Sequence, residues 1–463
     1  MLVIKLTDND YKGKPLKVFL DGSENPADFK RLSSDVKECL RKALDEINDV
    51  SVKELADRGL IIFPSQSAKS DLDDGKKTIL TVQHLTSDEP TIKTSNIMGF
   101  FSVGGVRFEI RSRFDSGDQQ FFLHYMLQKV CNAAPTTEPT DAKRDKFYDF
   151  IVYLFPWYLK KAVAQGLFRA YIRREYNDSN IRGAIDFPRH FRYNIPFNGK
   201  IAYRTREYSH DNSITQLVRH TIEFIAENHN LRGILAVDKE MRDAVQLIRG
   251  STESYSRFSR EPVIHQNLRT NPHPYYTEYE PLRKLCISIL THEKRSFGND
   301  STNKLSGILF DGAALWEEYI YTILKDCDFK HPRNKQSKGG IRMFSKTEDE
   351  DYFDNNSRRL YPDFGRDDFI IDAKYKHLEK GVGREDLYQV VTYMHCMKAD
   401  KGGFIYPTAE KDNKEKYALA GYGGEIHVIG IQIPSENDWK KFNEQMWTSE
   451  GKIREEIKQP SPK

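Results

Sequence analysis

The sequence contains no apolar run approaching the roughly 20 residues that a helix needs to cross a bilayer. Asp8, Asp10 and Lys12 interrupt the amino terminus too early for a signal peptide. No membrane contact is expected, and the chain reads as cytoplasmic. Cysteine is sparse: Cys39, Cys131, Cys286, Cys327 and Cys396 lie far apart with no CxxC pair, which argues against a zinc module and a disulfide framework alike. They read as buried thiols. There is no GxxxxGK[ST] run, so the chain lacks a Walker A phosphate loop of its own. Charge excess is also small, with 71 Lys and Arg against 68 Asp and Glu and a net charge of +3, so any basic surface must be local.

What is present suits a folded chain of several domains. At 463 residues it can supply two or three cores, and 38% hydrophobic residues, with 24 Tyr and 27 Phe, can fill them. Apolar runs at 2–6 and 16–20 read as strands. Val36, Leu40, Leu44 and Ile47 share one face of a helix over 33–48, which Ser33 or Ser34 can cap. Further strands are expected over 78–85 and 97–114, the latter folded into a hairpin at Gly104-Gly105. Residues 1–115 are therefore expected to form a small, β-rich α+β domain. After a loop at 132–140, a long helix is expected from about Ala142 to Gly166, bent at Pro156. Helical periodicity returns over 212–227, 235–248 and 281–292. Residues 116–300 thus read as a mainly helical middle region, joined through a polar linker at 296–305 to a last domain, 301–463.

Within the middle region, 169–206 is the most basic segment. Arg173, Arg174, Arg182, Arg189, Arg192 and Arg204 alternate there with Tyr171, Tyr176, Phe187, Phe191, Tyr193 and Tyr203. Arginines and aromatics mixed in this way suit phosphate contact and base stacking. The alternative is a linking segment with its aromatics packed inward and its arginines solvated or paired to Glu175, Asp178 and Asp186.

The last domain holds the chemistry. Leu360 to Phe364 and Phe369 to Ile371 flank a Gly-Arg-Asp-Asp turn, so a hairpin would bring Asp363 near Asp372. Side chains alternate along a strand, which puts Asp372 and Lys374 on one face. Two carboxylates beside an ammonium suit Mg²⁺, which takes oxygen ligands and keeps several waters. A helix from about Ile308 to Lys325 places Glu317 in phase with Phe310, Ala314, Tyr321 and Leu324, on a face where a carboxylate needs a partner. Another, over 384–398, puts Gln389 and Tyr393 on one face. Strands at 403–406 and 426–433, with a lysine-rich connection between them, and a terminal helix over 439–458 complete an α/β unit.

Taken in order, these elements resemble the PD-(D/E)xK nuclease superfamily in its RecB-like branch. Pro362-Asp363 and Asp372-Ala373-Lys374 match the motif that names it, Glu317 the upstream acid, and Gln389-Val390-Val391-Thr392-Tyr393 the QxxxY signature. Trp316-Glu317-Glu318-Tyr319, Tyr361-Pro362-Asp363, Ile371 to Lys376, Asp386 to Gln389 and Ile405-Tyr406-Pro407 are similar to the nuclease domain of the McrC family. Ile181 to His190 is similar to the stretch preceding that domain in McrC and its LlaJI-type relatives. The resemblance spans about Ile97 to Pro434.

It implies an α+β multidomain protein ending in a PD-(D/E)xK fold with a mixed central sheet. It also implies an endonuclease that cleaves double-stranded DNA in a restriction system of the 5-methylcytosine type. Mg²⁺, with Mn²⁺ able to substitute, would be held by Asp363, Asp372 and Glu317. Lys374 would orient the attacking water, with Gln389 and Tyr393 in support. The partner implied is a McrB-like AAA+ GTPase hexamer, engaged by the amino-terminal domain through the Gly104-Gly105 hairpin. Competing expectations are a non-catalytic DNA-binding adaptor of such a motor, which the intact acid-acid-lysine set disfavours, and a stand-alone RecB-like repair nuclease.

Overall fold

The structure, a computed structural model, describes residues 2–20, 25–63, 78–84, 90–115, 119–131, 146–228, 231–269, 273–297, 305–332, 340–344, 359–410, 414–421 and 423–458. The expected loop at 132–140 and most of the linker at 296–305 lie outside them. The chain is a multidomain α+β protein that divides into two compact units. One is built from both ends of the chain (1–130, 135–141 and 301–463), the other from its middle (131–134 and 142–300).

In the first unit, a sheet is ordered Ala27–Asp28, Lys17–Leu20, Leu2–Thr7, Val106–Arg111, Ile97–Val103, Ser306–Asp311, Ile61–Phe63. The helix Ser34–Ile47 forms as its spacing predicts, with Ser33 at the N-cap and Leu40, Leu44 and Ile47 buried in the core. Ser306–Asp311 corrects the sequence reading, because the helix expected from Ile308 starts only at Gly312. Ile308, Leu309 and Phe310 are buried in a strand that runs antiparallel to Ile97–Val103 and parallel to Ile61–Phe63. Two glycines permit that pairing. A Cβ on Gly99 would stand 2.2 Å from the Ile308 carbonyl oxygen, and one on Gly307 2.3 Å from that of Phe100. Asp311 then starts the helix Gly312–Leu324, its carboxylate accepting from the amides of Ala313 and Ala314 at 3.1 Å each.

The same unit holds a mixed sheet in the order Phe364–Arg366, Phe369–Ala373, Lys401–Thr408, Glu425–Gln432, Lys414–Ala418. Its inner pairs are parallel and its outer pairs antiparallel. The helix Arg384–Met397 connects the parallel neighbours Phe369–Ala373 and Lys401–Thr408, burying Val390, Tyr393 and Met394 with Ile370, Phe404 and Tyr406. The lysine-rich connection contains the edge strand Lys414–Ala418, whose alternating Lys and Glu suit an exposed edge. The terminal helix Trp439–Lys458 carries Glu450, fully buried and bonded by Tyr125, Tyr319 and Lys129.

In the second unit, the expected long helix is two, Lys146–Tyr153 and Phe155–Ala164. Pro156 lies in the first turn of the latter, where its missing N–H costs nothing. The helices Ser213–Glu227, Lys239–Ser251 and Tyr279–Phe297 follow, the first opened by a capping box between Asn212 and Thr215. The basic segment is folded as a β-ribbon in the order Ala170–Asp178, Ile201–Ser209, Ala184–Ile185, with the short helix Phe187–Tyr193 beside it.

Candidate functional site

The hairpin pairs Phe364 with Ile371, Gly365 with Ile370 and Arg366 with Phe369, leaving Asp367 and Asp368 as its turn; Gly365 and Arg366, expected in the turn, are strand, and Leu360, expected in the first hairpin strand, pairs instead with Ile341. One step further along that register, Asp363 faces Asp372. The Ala373 amide donates to Asp363 Oδ2 at 2.8 Å, which fixes the first carboxylate against the strand bearing the second. Asp372 is 2% exposed, and its buried Oδ2 lies 2.5 Å from the ammonium of Lys374. Lys374 also stands 3.3 Å from Asp386, while Lys376 reaches that carboxylate at 2.5 Å.

The next helix closes the group. Lys374 Nζ donates to Gln389 Oε1 at 3.4 Å, and Gln389 Nε2 donates to the Tyr393 hydroxyl at 2.7 Å. Tyr393 in turn faces the Tyr361 carbonyl at 3.5 Å. A cavity of about 410 Å³ opens beside this pair, lined in part by Leu360, Arg384 and Tyr388.

Glu317 departs from expectation. The helix buries Leu315, Trp316, Tyr319, Ile320 and Ile323, so Glu317 lies at the margin of the buried face with its side chain 31% exposed. Its Oε1 is 3.6 Å from His331 Nε2, and Nδ1 of that imidazole makes a 2.7 Å hydrogen bond with the Asp363 carbonyl. The backbone pairing of Lys330 with Gly365 brings His331 there. Sequence reasoning missed both His331 and the role of Asp386. Asp386 carries one local signal, an acid in the first turn of a helix. His331 carries none, since its position depends on a strand partner 35 residues away, counted from Lys330 to Gly365.

Electrostatics follow from this crowding. Burial, then the charges of Asp372 and Glu317, push the Asp363 carboxyl well above the ordinary carboxylate range. For Lys374, burial alone would lower the pKa, but the carboxylates of Asp372 and Asp386 outweigh it and hold the ammonium above its usual range. The donors around Asp363 and Asp372 are oxygens, the ligand type Mg²⁺ prefers. Among the described residues, no three His, Cys, Asp or Glu side chains are grouped closely enough to enclose an ion. Such a set fits a cation that keeps waters, and the Lys374 ammonium already places positive charge against Asp372.

The arginines of the second unit divide into two groups. Arg174 pairs with Glu207 at 3.5 Å, Arg189 with Glu175 at 3.4 Å, and Arg204 with Glu175 and the buried Asp186. Arg182 lies over the Tyr176 ring and Arg192 over that of Tyr193. Arg173 is exposed directly across the ladder from Arg206, a like-charge pair that an anion would relieve. Phe187, Phe191 and Phe197 are 58%, 59% and 68% exposed and are not packed inward, whereas Tyr203 is fully buried, and the pairs to Glu175 and Asp186 are those the linking-segment reading expected.

Comparison with known proteins gives this geometry its family. Residues 92–407 match the family described as McrBC 5-methylcytosine restriction system component. The chain belongs to that family. The McrBC match takes in Glu317, the hairpin and the Gln389–Tyr393 helix, together with the ribbon. Among curated proteins none matches. Solved structures similar to it include the refined half-complex from the tetradecameric assembly of Thermococcus gammatolerans McrB AAA+ hexamers with bound McrC. That chain is 15% identical with a TM-score of 0.48, over 97% of this chain and 100% of the other. The cryo-EM structure of the Thermococcus gammatolerans McrBC complex is also similar, at 15% identity and a TM-score of 0.31, over 70% of this chain and 87% of the other.

Proposed function

We propose that this restriction-system component is its Mg²⁺-dependent DNA endonuclease, of the PD-(D/E)xK type, cutting phosphodiesters when an AAA+ GTPase of the McrB kind engages it. The observation that carries this reading is the convergence of Asp363, Asp372 and Lys374 on one hairpin, with Gln389 and Tyr393 against them. Asp363 and Asp372 would hold the cation, with Glu317 at the edge of its shell through a water. When bound, Mg²⁺ supplies a polarised phosphate and a more acidic water. Lys374 orients the attacking oxygen and offsets charge building on the phosphate, where preorganised electrostatics count most. Gln389 aims that ammonium, and Tyr393 holds Gln389.

In the second unit, Arg173 and Arg192 are the exposed arginines offered to a DNA backbone, with Arg182, which also bonds Tyr203, beside them, while Arg174, Arg189 and Arg204 shape the ribbon. The test is plasmid cleavage by the full chain with Mg²⁺ and GTP, with and without its motor. Cleavage that needs Mg²⁺ and disappears in Asp372→Ala supports the reading. Undiminished cleavage by Asp372→Ala or Lys374→Ala would sink the site, and motor stimulation without any nicking would make the chain an adaptor.

A further inference from the structure

The reading of the cut leaves unexplained a buried cluster on the far side of Lys374. Side chains alternate along the chain, so Tyr375 points away from the Asp372 face and toward the amino-terminal sheet. Its hydroxyl lies 2.7 Å from Ser112 Oγ and 3.3 Å from Met98 Sδ. Its carbonyl accepts from the Arg113 guanidinium, which also lies 4.6 Å over its ring. Arg113 is itself held. Its amide and Nη1 bond the buried Asp8 at 2.5 and 2.9 Å, and Nη1 also bonds Asn96 Oδ1 at 3.0 Å.

The same cluster reaches the helix of Glu317. The Asn96 carbonyl accepts from the Gly312 amide at 3.1 Å. A Cβ on Gly312 would stand 2.7 Å from the Tyr375 ring, so only glycine lets that ring fit against the helix start. Lys374 is thus pinned on both sides. Its own amide bonds the Ile405 carbonyl at 2.9 Å, and the following carbonyl is gripped by Arg113.

We propose that Arg113 is a positioning residue for Lys374, acting through Tyr375, so that the amino-terminal sheet aims the lysine of the carboxy-terminal hairpin. The proposal rests on the endonuclease reading for its kinetic arm alone. A guanidinium fork reaches Asp8 and Asn96 from one nitrogen and the Tyr375 carbonyl from the other, whereas a lysine must reach all three from a single nitrogen. Because Arg113→Met would strand the buried Asp8 charge, the tests are Arg113→Lys and the charge-balanced pair Asp8→Asn with Arg113→Met.

In the full chain with Mg²⁺ and its motor, both are expected to lower kcat for plasmid cleavage by about 10- to 100-fold, the scale of a misplacement near 1 Å, with KM for DNA unchanged. Amide exchange over 374–378 should quicken, and Tyr375→Phe, which loses only the hydroxyl contacts, should show a smaller kcat loss. A kcat within about twofold of the parent in both variants, or a change confined to KM, overturns the proposal. So does unchanged exchange over 374–378, which reads the proposal even if the parent chain cuts nothing. Absence of cutting by the parent with quickened exchange in the variants would overturn the endonuclease reading while keeping the positioning role.

Discussion

The Asp363–Asp372 hairpin and the arginine ribbon are both antiparallel β-structures rich in charge, yet they hold that charge in opposite ways. The hairpin sits in a sheet with Phe364, Ile370 and Ile371 fully buried, so its strand forces Asp372 inward against Lys374. Burial raises the cost of an unpaired charge, and each group is answered by another. The ribbon alternates half-buried and exposed residues along Ala170–Asp178 and keeps Tyr171 62% exposed. Apart from those to the buried Asp186, its ion pairs lie near water, where each contributes little, and Arg173 faces solvent. Charge that is buried and over-determined suits chemistry, and charge that is exposed and repeated suits a long anion.

Substitutions can break this contrast. The largest effect is expected from Lys374→Ala, which should lower cleavage by about 10²- to 10³-fold, the scale seen on removing one transition-state partner. Single-turnover plasmid cleavage measures it. Next, His331→Ala should lower cleavage about tenfold by freeing Glu317 and the Asp363 backbone, and a raised Mg²⁺ requirement in a metal titration would place the effect at the cation. On the ribbon, Arg173→Ala should leave the rate at saturating DNA unchanged and weaken DNA binding a few-fold, with the salt dependence falling by about one unit of slope. An equal loss of kcat there would erase the distinction between the two regions.

A separate test reads stability rather than cleavage. His220 is buried in the second unit, and burial, then the charges of Arg260 and Arg219, lower its pKa to about 4 from an ordinary 6.5. A depressed pKa favours the fold above the unfolded value and loses that support as pH falls. Stability of this unit should therefore decline from pH 6.5 toward 4 by at most about 1.4 kcal/mol per pH unit. Denaturation of His220→Phe at pH 5 and 7.5 should show a flatter profile.

Much of this was legible from local pattern. The hairpin, the Asp363–Asp372 approach and the shared face of Asp372 and Lys374 follow from turn chemistry and the two-residue period of a strand. Gln389 and Tyr393 meet because four residues make one helical turn, and their 2.7 Å bond is local. The helix start at Gly312 was misplaced because Ile308, Leu309 and Phe310 suit a buried strand or a buried helix equally, and only pairing partners decide. Lys414–Ala418 was missed because an exposed edge strand has a polar composition. The ribbon was missed because one face of Ala170–Asp178 is exposed and the other only half-buried, leaving no continuous buried stripe to read.

By itself the sequence determined which groups could do chemistry: two aspartates, a lysine, and a glutamine and tyrosine one turn apart, in an order that short-range geometry can assemble. Only the tertiary structure decided what surrounds them. Glu317 lies at a margin, His331 enters through long-range pairing, Asp386 from the start of the next helix, and Arg113, 261 residues before Lys374, is brought to its neighbour's carbonyl. The physical reason is one of range. Strand and helix periods fix contacts within a few residues, whereas a buried charge is satisfied by whichever partner the folded core brings to it.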